Sequence, residues 1–222
     1  MKNVNKLLLF FLCVAAVLTT AVAGTLAWLS DVETAVNTFT IGRVNIVVDE
    51  AKVNEDGTPV TGADRVKANE YHILPGLEYT KDPTVTVDGG SEDAYVRMIL
   101  TVHNASDVQA ILTKYNLGDF SVLIGGWDKN TWLYEGFTED TTNNTISFEF
   151  RYKEVVAKSA TDTKLTALFD TLIVPGEITG EEMKELYDGG FKMEVFGHAI
   201  QAAGFDTEDA AWDAFDTQHN SW

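Results

Sequence analysis

Ile146-Ser147-Phe148-Glu149-Phe150-Arg151-Tyr152 alternates apolar and polar residues without an error. Successive side chains of a strand point to opposite faces, so this period of two describes a strand with one face on a core and one in water. Tyr95 to His103 repeats the pattern, with Val96, Met98, Leu100 and Val102 on one face. Phe191 to Val195 does the same, and Val44 to Val48 opens another strand. Thr84 to Val87 is shorter and ends at the turn Asp88-Gly89-Gly90. Leu168 to Val174 is mostly apolar and reads as a strand covered on both faces, stopped by Pro175-Gly176. Phe120 to Ile124 and Thr131 to Phe137 are weaker strand signals. Eight or nine short strands separated by turn residues predict a mostly-β antiparallel sandwich or barrel.

Three short helices complete the reading. Ser106 with Gln109, and Thr179 with Glu182, have the spacing of a capping box. Thr207 to Phe215 carries acids in its first turn, where the helix dipole favours them. Its Trp212/Phe215 face is expected to pack on the sandwich, and the tail from Gln218 to fray. Asn54 to Ala68 is polar and contains glycine, as a loop insertion would. The doublets Gly89-Gly90, Gly125-Gly126 and Gly189-Gly190 read as hairpin turns.

The N-terminus has a different character. Lys2 and Lys6 precede an uncharged stretch from Leu7 to Ser30 that opens with six consecutive large apolar residues. A basic start, a short apolar run and small residues afterwards make a secretory signal peptide, with an uncleaved membrane anchor as the alternative. Ala21-Val22-Ala23 and Thr25-Leu26-Ala27 both offer small residues at the spacing cleavage requires. Cys13, the single cysteine, lies within the apolar run, so no internal disulfide is possible and cleavage leaves a cysteine-free chain.

The 222 residues carry 16 basic and 34 acidic side chains, a net charge of −18. Loss of Lys2 and Lys6 leaves 14 basic against 34 acidic, or −20. Such a balance argues against nucleic acid and against anionic lipid surfaces, since lysine and arginine supply the attraction to both. Copies of a chain of this charge repel one another over about 8 Å at physiological salt, so any self-assembly is expected to be promoted by salt, divalent cations or mild acid.

Recognisable catalytic motifs are missing. His72, His103, His198 and His219 lie more than ten residues apart, and neither a helical zinc motif, a nucleophile elbow nor a phosphate-binding glycine loop occurs. No cofactor is expected. The alternatives are zinc held by His72, His103 or His198 from separate strands, and calcium near Asp88, Glu92 and Asp93 or the run Asn54-Glu55-Asp56-Gly57. Trp127, Trp132 and Tyr134 surround a glycine-rich turn and read as core aromatics, with sugar stacking as the alternative.

Gly24 to Asp31, followed by Asn37-Thr38-Phe39-Thr40-Ile41-Gly42 and a strand, resembles the export signal and mature N-terminus of the TasA/camelysin family. The order of later features is similar too: Leu74-Pro75-Gly76 before Tyr79-Thr80-Lys81, the Val174-Pro175 break, and His198-Ala199-Ile200-Gln201-Ala202-Ala203-Gly204-Phe205 closing the last strand. The resemblance implies a jelly-roll sandwich and cleavage by the signal peptidase SipW between Ala27 and Trp28. It also implies a secreted, non-enzymatic matrix protein that forms biofilm fibres with copies of itself and with other matrix or accessory proteins. The division would be a signal at 1–27, a donor segment at 28–40, a sandwich at 41–205 and a C-terminal helix and tail at 206–222. In such fibres the N-terminal segment of one subunit adds to the sheet of the next. Trp28, Leu29, Val32, Val36 and Phe39 are the apolar positions that would do so here, the alternative being an ordinary first strand within the same subunit. Camelysin's metallopeptidase activity is the runner-up that the resemblance brings with it, and a surface adhesin or carbohydrate-binding module is the third reading.

Overall fold

The computed structural model describes residues 43–219. Ala27, Trp28, Leu29, Val32, Val36 and Phe39, and with them the signal and donor assignments, lie outside the described residues.

The described chain is mostly β, with every strand pair antiparallel. Its spine is a four-stranded sheet in the order β10-β4-β7-β6, built from β4 (Ala94–His103), β6 (Trp132–Asp140), β7 (Thr145–Tyr152) and β10 (Lys192–Gln201). The opposing layer is two three-stranded sheets. One is β1 (Ile46–Asp49), β3 (Thr84–Val87) and β8 (Thr163–Lys164), in the order β1-β3-β8. The other is β2 (Glu78–Thr80), β9 (Thr171–Ile173) and β5 (Ile124–Gly125), in the order β2-β9-β5. The helices are α1 (Ala105–Lys114), α2 (Gly180–Asp188) and α3 (Glu208–His219).

Alternation in β4 and β7 decides the core. Val96, Met98, Leu100, Phe148 and Phe150 turn inward to meet Val85, Val87, Leu165, Leu168 and Phe169. Val102 and Ile146 continue the same face into a second cluster with Tyr79, Leu172 and the apolar sides of α1 and α2. Burying such side chains stabilises by roughly 1.5–3 kcal/mol each.

Several local readings change. Phe120 to Leu123 is a 3₁₀ turn, because the Asp119 carboxylate accepts from the Ser121 N–H at 2.8 Å and starts a helical turn; only Ile124–Gly125 pairs as strand. Of Leu168 to Val174, only Thr171–Ile173 joins a ladder, while Leu168 and Phe169 leave the strand to fill the core. The cap of α1 is not Ser106: Asn104 is the N-cap in left-handed conformation (φ 55°). Asn144, in the β6–β7 turn, accepts the Ser106 N–H on its side-chain oxygen at 2.9 Å. Thr179 and Glu182 do form the expected capping box on α2. Gly189-Gly190 is the C-terminal end of that helix, with the Gly190 N–H donating to Tyr187 and the Phe191 N–H to Leu186. Gly190 adopts φ 85°, which a helix end of this kind requires. Helix α3 includes Gln218 and His219.

Candidate functional site: two edges of one sheet

A sheet edge presents a row of N–H and C=O groups with no partner in the sheet. The four-stranded sheet has two such edges, β10 and β6.

Strand β10 pairs with β4 through all ten residues, from Lys192↔His103 to Gln201↔Ala94, without a register shift. Among the described residues no strand pairs along its other side. A regular strand of ten residues is about 33 Å long and presents every second residue's backbone groups outward. Beside its first half lies a cleft of about 290 Å³. Val48, Met193 and Val195 give it apolar surface, and Lys67, Lys81 and Lys192 bring three cations to its lining. The acids of the lining are engaged: Asp49 with Arg65 at 2.5 Å, Glu50 with Lys81 at 2.6 Å, and Glu194 with His103 at 2.7 Å and Lys192 at 2.5 Å. Glu194 is partly buried, which opposes ionisation, but its bonds to Lys192 and His103 win and hold its pKa below the usual range. In a chain of net charge −18 this cleft is locally neutral.

The outer face of the same sheet is braced by α3. Arg97 on β4 has no solvent exposure. It makes a two-pronged ion pair with Asp216 of α3, reaches Glu149 of β7 at 3.4 Å, and donates from Nε to Nδ1 of His198 on β10 at 3.2 Å. Its guanidinium lies 4.5 Å from the Trp212 ring centre and 5.2 Å from that of Phe215. His198 stacks on Phe215 at 4.9 Å. Arg151 of β7 ties the start of the helix through Asp209 at 2.6 Å. Burial, then the Arg97 charge, lowers the His198 pKa to about 4, against the opposing pull of Asp216. One buried guanidinium thus joins β4, β7, β10 and α3.

The β6 edge is built differently. Its pairing with β7 shifts register between Tyr134 and Gly136, where Glu135 is the extra residue and Gly136 takes φ 137°. A bulge bends and twists a strand, and natural edges use this to discourage further pairing. Tyr134 and Phe137 lie on the core side, opposite Phe150 and Phe148, yet remain 45% and 57% exposed. Glu135, Glu139 and Asp140 give the strand three acids and no base.

The other sequence-predicted positions fall as follows. Trp132 is fully buried and donates to Thr166 O at 3.1 Å; Trp127 is partly buried in the same cluster and donates to Trp132 O at 2.9 Å. Of the three aromatics, Tyr134 alone reaches the surface substantially. His72 sits in a cleft with Tyr71, Leu74 and Tyr187. His103 and His198 share the outer face but lie six register positions apart, about 20 Å along the strands. Among the described residues no group of three metal-binding side chains comes together. Glu92 pairs with Lys158 at 2.7 Å and Asp93 accepts the Lys158 N–H at 2.6 Å, so both pin a neighbouring segment. Asp56 closes its own turn onto Thr58. Sequence reading missed Lys67, Lys192, Arg97 and Phe137, which no local pattern distinguishes, and met Lys81 only within the Tyr79-Thr80-Lys81 feature, not as lining of this cleft.

Fold and site together define an antiparallel β-sandwich with one open, regular edge beside a locally neutral cleft. No family model, curated protein or solved structure matches the chain.

Proposed function

We propose that this protein is a secreted structural subunit of an extracellular or cell-surface fibre, joined head to tail by strand addition. The observation that carries the proposal is the ten-residue β10 edge, regular along its whole length and unpaired among the described residues. The donor would be residues 28–40 of the next copy, long enough at thirteen residues to run along all of β10. That segment contains Asp31 and Glu33 and no lysine or arginine, so the locally neutral surroundings of β10 suit it better than the three acids of β6. The sequence resemblance to the TasA/camelysin family supports the same reading, including release by cleavage after Ala27. A contact between unlike surfaces leaves a free edge at one end and a free segment at the other, and yields an open filament wherever the rotation between copies does not close a ring.

The test is deletion of Trp28 to Thr38 from the secreted protein, followed by electron microscopy. The expected outcome is folded monomers that form no fibres. Fibres as abundant as those of the undeleted protein would overturn the proposal.

A further inference from the structure

The β6 edge carries a feature that strand donation does not use. Tyr134 and Phe137 belong to the inward row of their strand and rest against Phe150 at 5.7 Å and Phe148 at 6.2 Å, yet about half of each side chain meets solvent. Trp127 extends this aromatic surface, 6.3 Å from Tyr134, and Lys129 already sets its ammonium 5.1 Å from the Trp127 ring centre. A cation over an aromatic face is attracted by the ring's electron distribution, so the molecule itself shows what this surface accommodates. Carboxylates surround the rings: Glu135, Glu139 and Asp140 on the strand, with Asp119 close enough to act on Tyr134.

The geometry points to the β6 edge as a docking surface for a basic, apolar-flanked polypeptide segment of a partner protein, whose lysine or arginine side chains lie over Tyr134 and Phe137 and pair with Glu135 and Glu139. Charge complementarity selects this occupant. A second copy would bring the same acids face to face, and residues 28–40 carry only acidic charges. The bulge at Gly136 disfavours simple backbone pairing, which leaves the side chains as the recognition surface. The inference is independent of fibre formation.

The test is fluorescence anisotropy of labelled decapeptides with the full protein. The probes are lysine–valine, serine–valine and glutamate–valine alternating repeats. The lysine peptide is expected to bind at least tenfold more tightly than the serine peptide, and to weaken as salt is raised. Tyr134→Ala with Phe137→Ala keeps the charge and is expected to weaken binding at least tenfold; Glu135→Gln with Glu139→Gln should weaken it and flatten the salt dependence. If the alanine pair melts early, the leucine pair at the same positions replaces it. Unchanged affinity after loss of both rings would overturn the inference, as attraction to net charge alone. So would equal binding of the serine peptide, or dimers of the protein that disappear with the two rings.

Discussion

Strands β10 and β6 bound the same sheet, yet they end it in opposite ways. β10 runs ten residues in unbroken register beside a neutral cleft. β6 is bulged, acidic and studded with half-exposed rings. Uncovered edges invite pairing, and proteins blunt them with charges and bulges. Here β6 carries both devices, whereas β10 has no bulge and its two charged residues, Lys192 and Glu194, pair with each other. The contrast teaches that β10 offers backbone, whereas β6 offers side chains.

The largest expected effect concerns how β10 is held. Arg97→Ala removes charge-assisted hydrogen bonds to Asp216, which is one-third exposed, and to Glu149, which keeps Arg151, together with the stacking on Trp212 and Phe215. Loss of hydrogen bonds to charged groups costs about 1.5–3 kcal/mol. Chemical denaturation should register that loss. Hydrogen exchange should then quicken in β10 and α3 well before β6; uniform loosening of both edges would show that the brace is not specific to β10.

Acid should act on the same brace. The His198 pKa is lowered in the folded protein to about 4, from about 6.5 in the unfolded chain. The unfolded state therefore binds more protons between these values, and stability falls as pH drops from about 6.5 to 4. Facing groups are Arg97, Asp216 and His219; the added proton is opposed by the Arg97 charge and favoured by Asp216. His198→Gln is expected to flatten this part of the stability–pH curve. An unchanged curve would remove His198 as its origin.

Smaller effects come from two glycines. Gly197, on the inner face of β10, would place a Cβ 2.4 Å from the Val48 side chain. Gly197→Val should cost about 1–3 kcal/mol by overpacking, measured by thermal melting. Gly136 has open space around its missing side chain but a φ of 137°. Gly136→Ala should cost about 1 kcal/mol, from backbone strain alone. A larger loss at Gly136 than at Gly197 would reverse the picture of a tight β10 and a loose β6.

The sequence displayed most of the sheet and little of the site. β4 and β7 are legible because one face of each meets the core and the other meets polar groups or water, which writes period two into the chain. β10 extends beyond Val195 because Gly197 and Ala199 hold inward positions without looking apolar enough to continue the pattern. β2 and β8, of three and two residues, are too short to carry any period. The cap of α1 was illegible for another reason: Asn144 is supplied from 38 residues away. The cleft beside β10 joins Lys67, Lys81 and Lys192, which only folding brings together. Arg97 occupies the polar phase of its strand and reads as solvent-facing until α3 covers it.

The central claim is that β10, and not β6, receives the N-terminal segment of the next subunit. Cys13 is the single cysteine and precedes Ala27, so the cleavage proposed after Ala27 would leave a cysteine-free background for paired cysteines; otherwise Cys13→Ser supplies it. Val36→Cys would be combined in turn with Glu194→Cys, Phe196→Cys or His198→Cys on β10, and with Leu133→Cys or Thr138→Cys on β6. Disulfides form only where Cα atoms approach within about 7 Å. After mild oxidation of assembled fibres, a denaturing gel without reductant should show a ladder of covalent oligomers for at least one β10 pair and none for the β6 pairs. A ladder from β6 with monomer alone from every β10 pair would contradict the account.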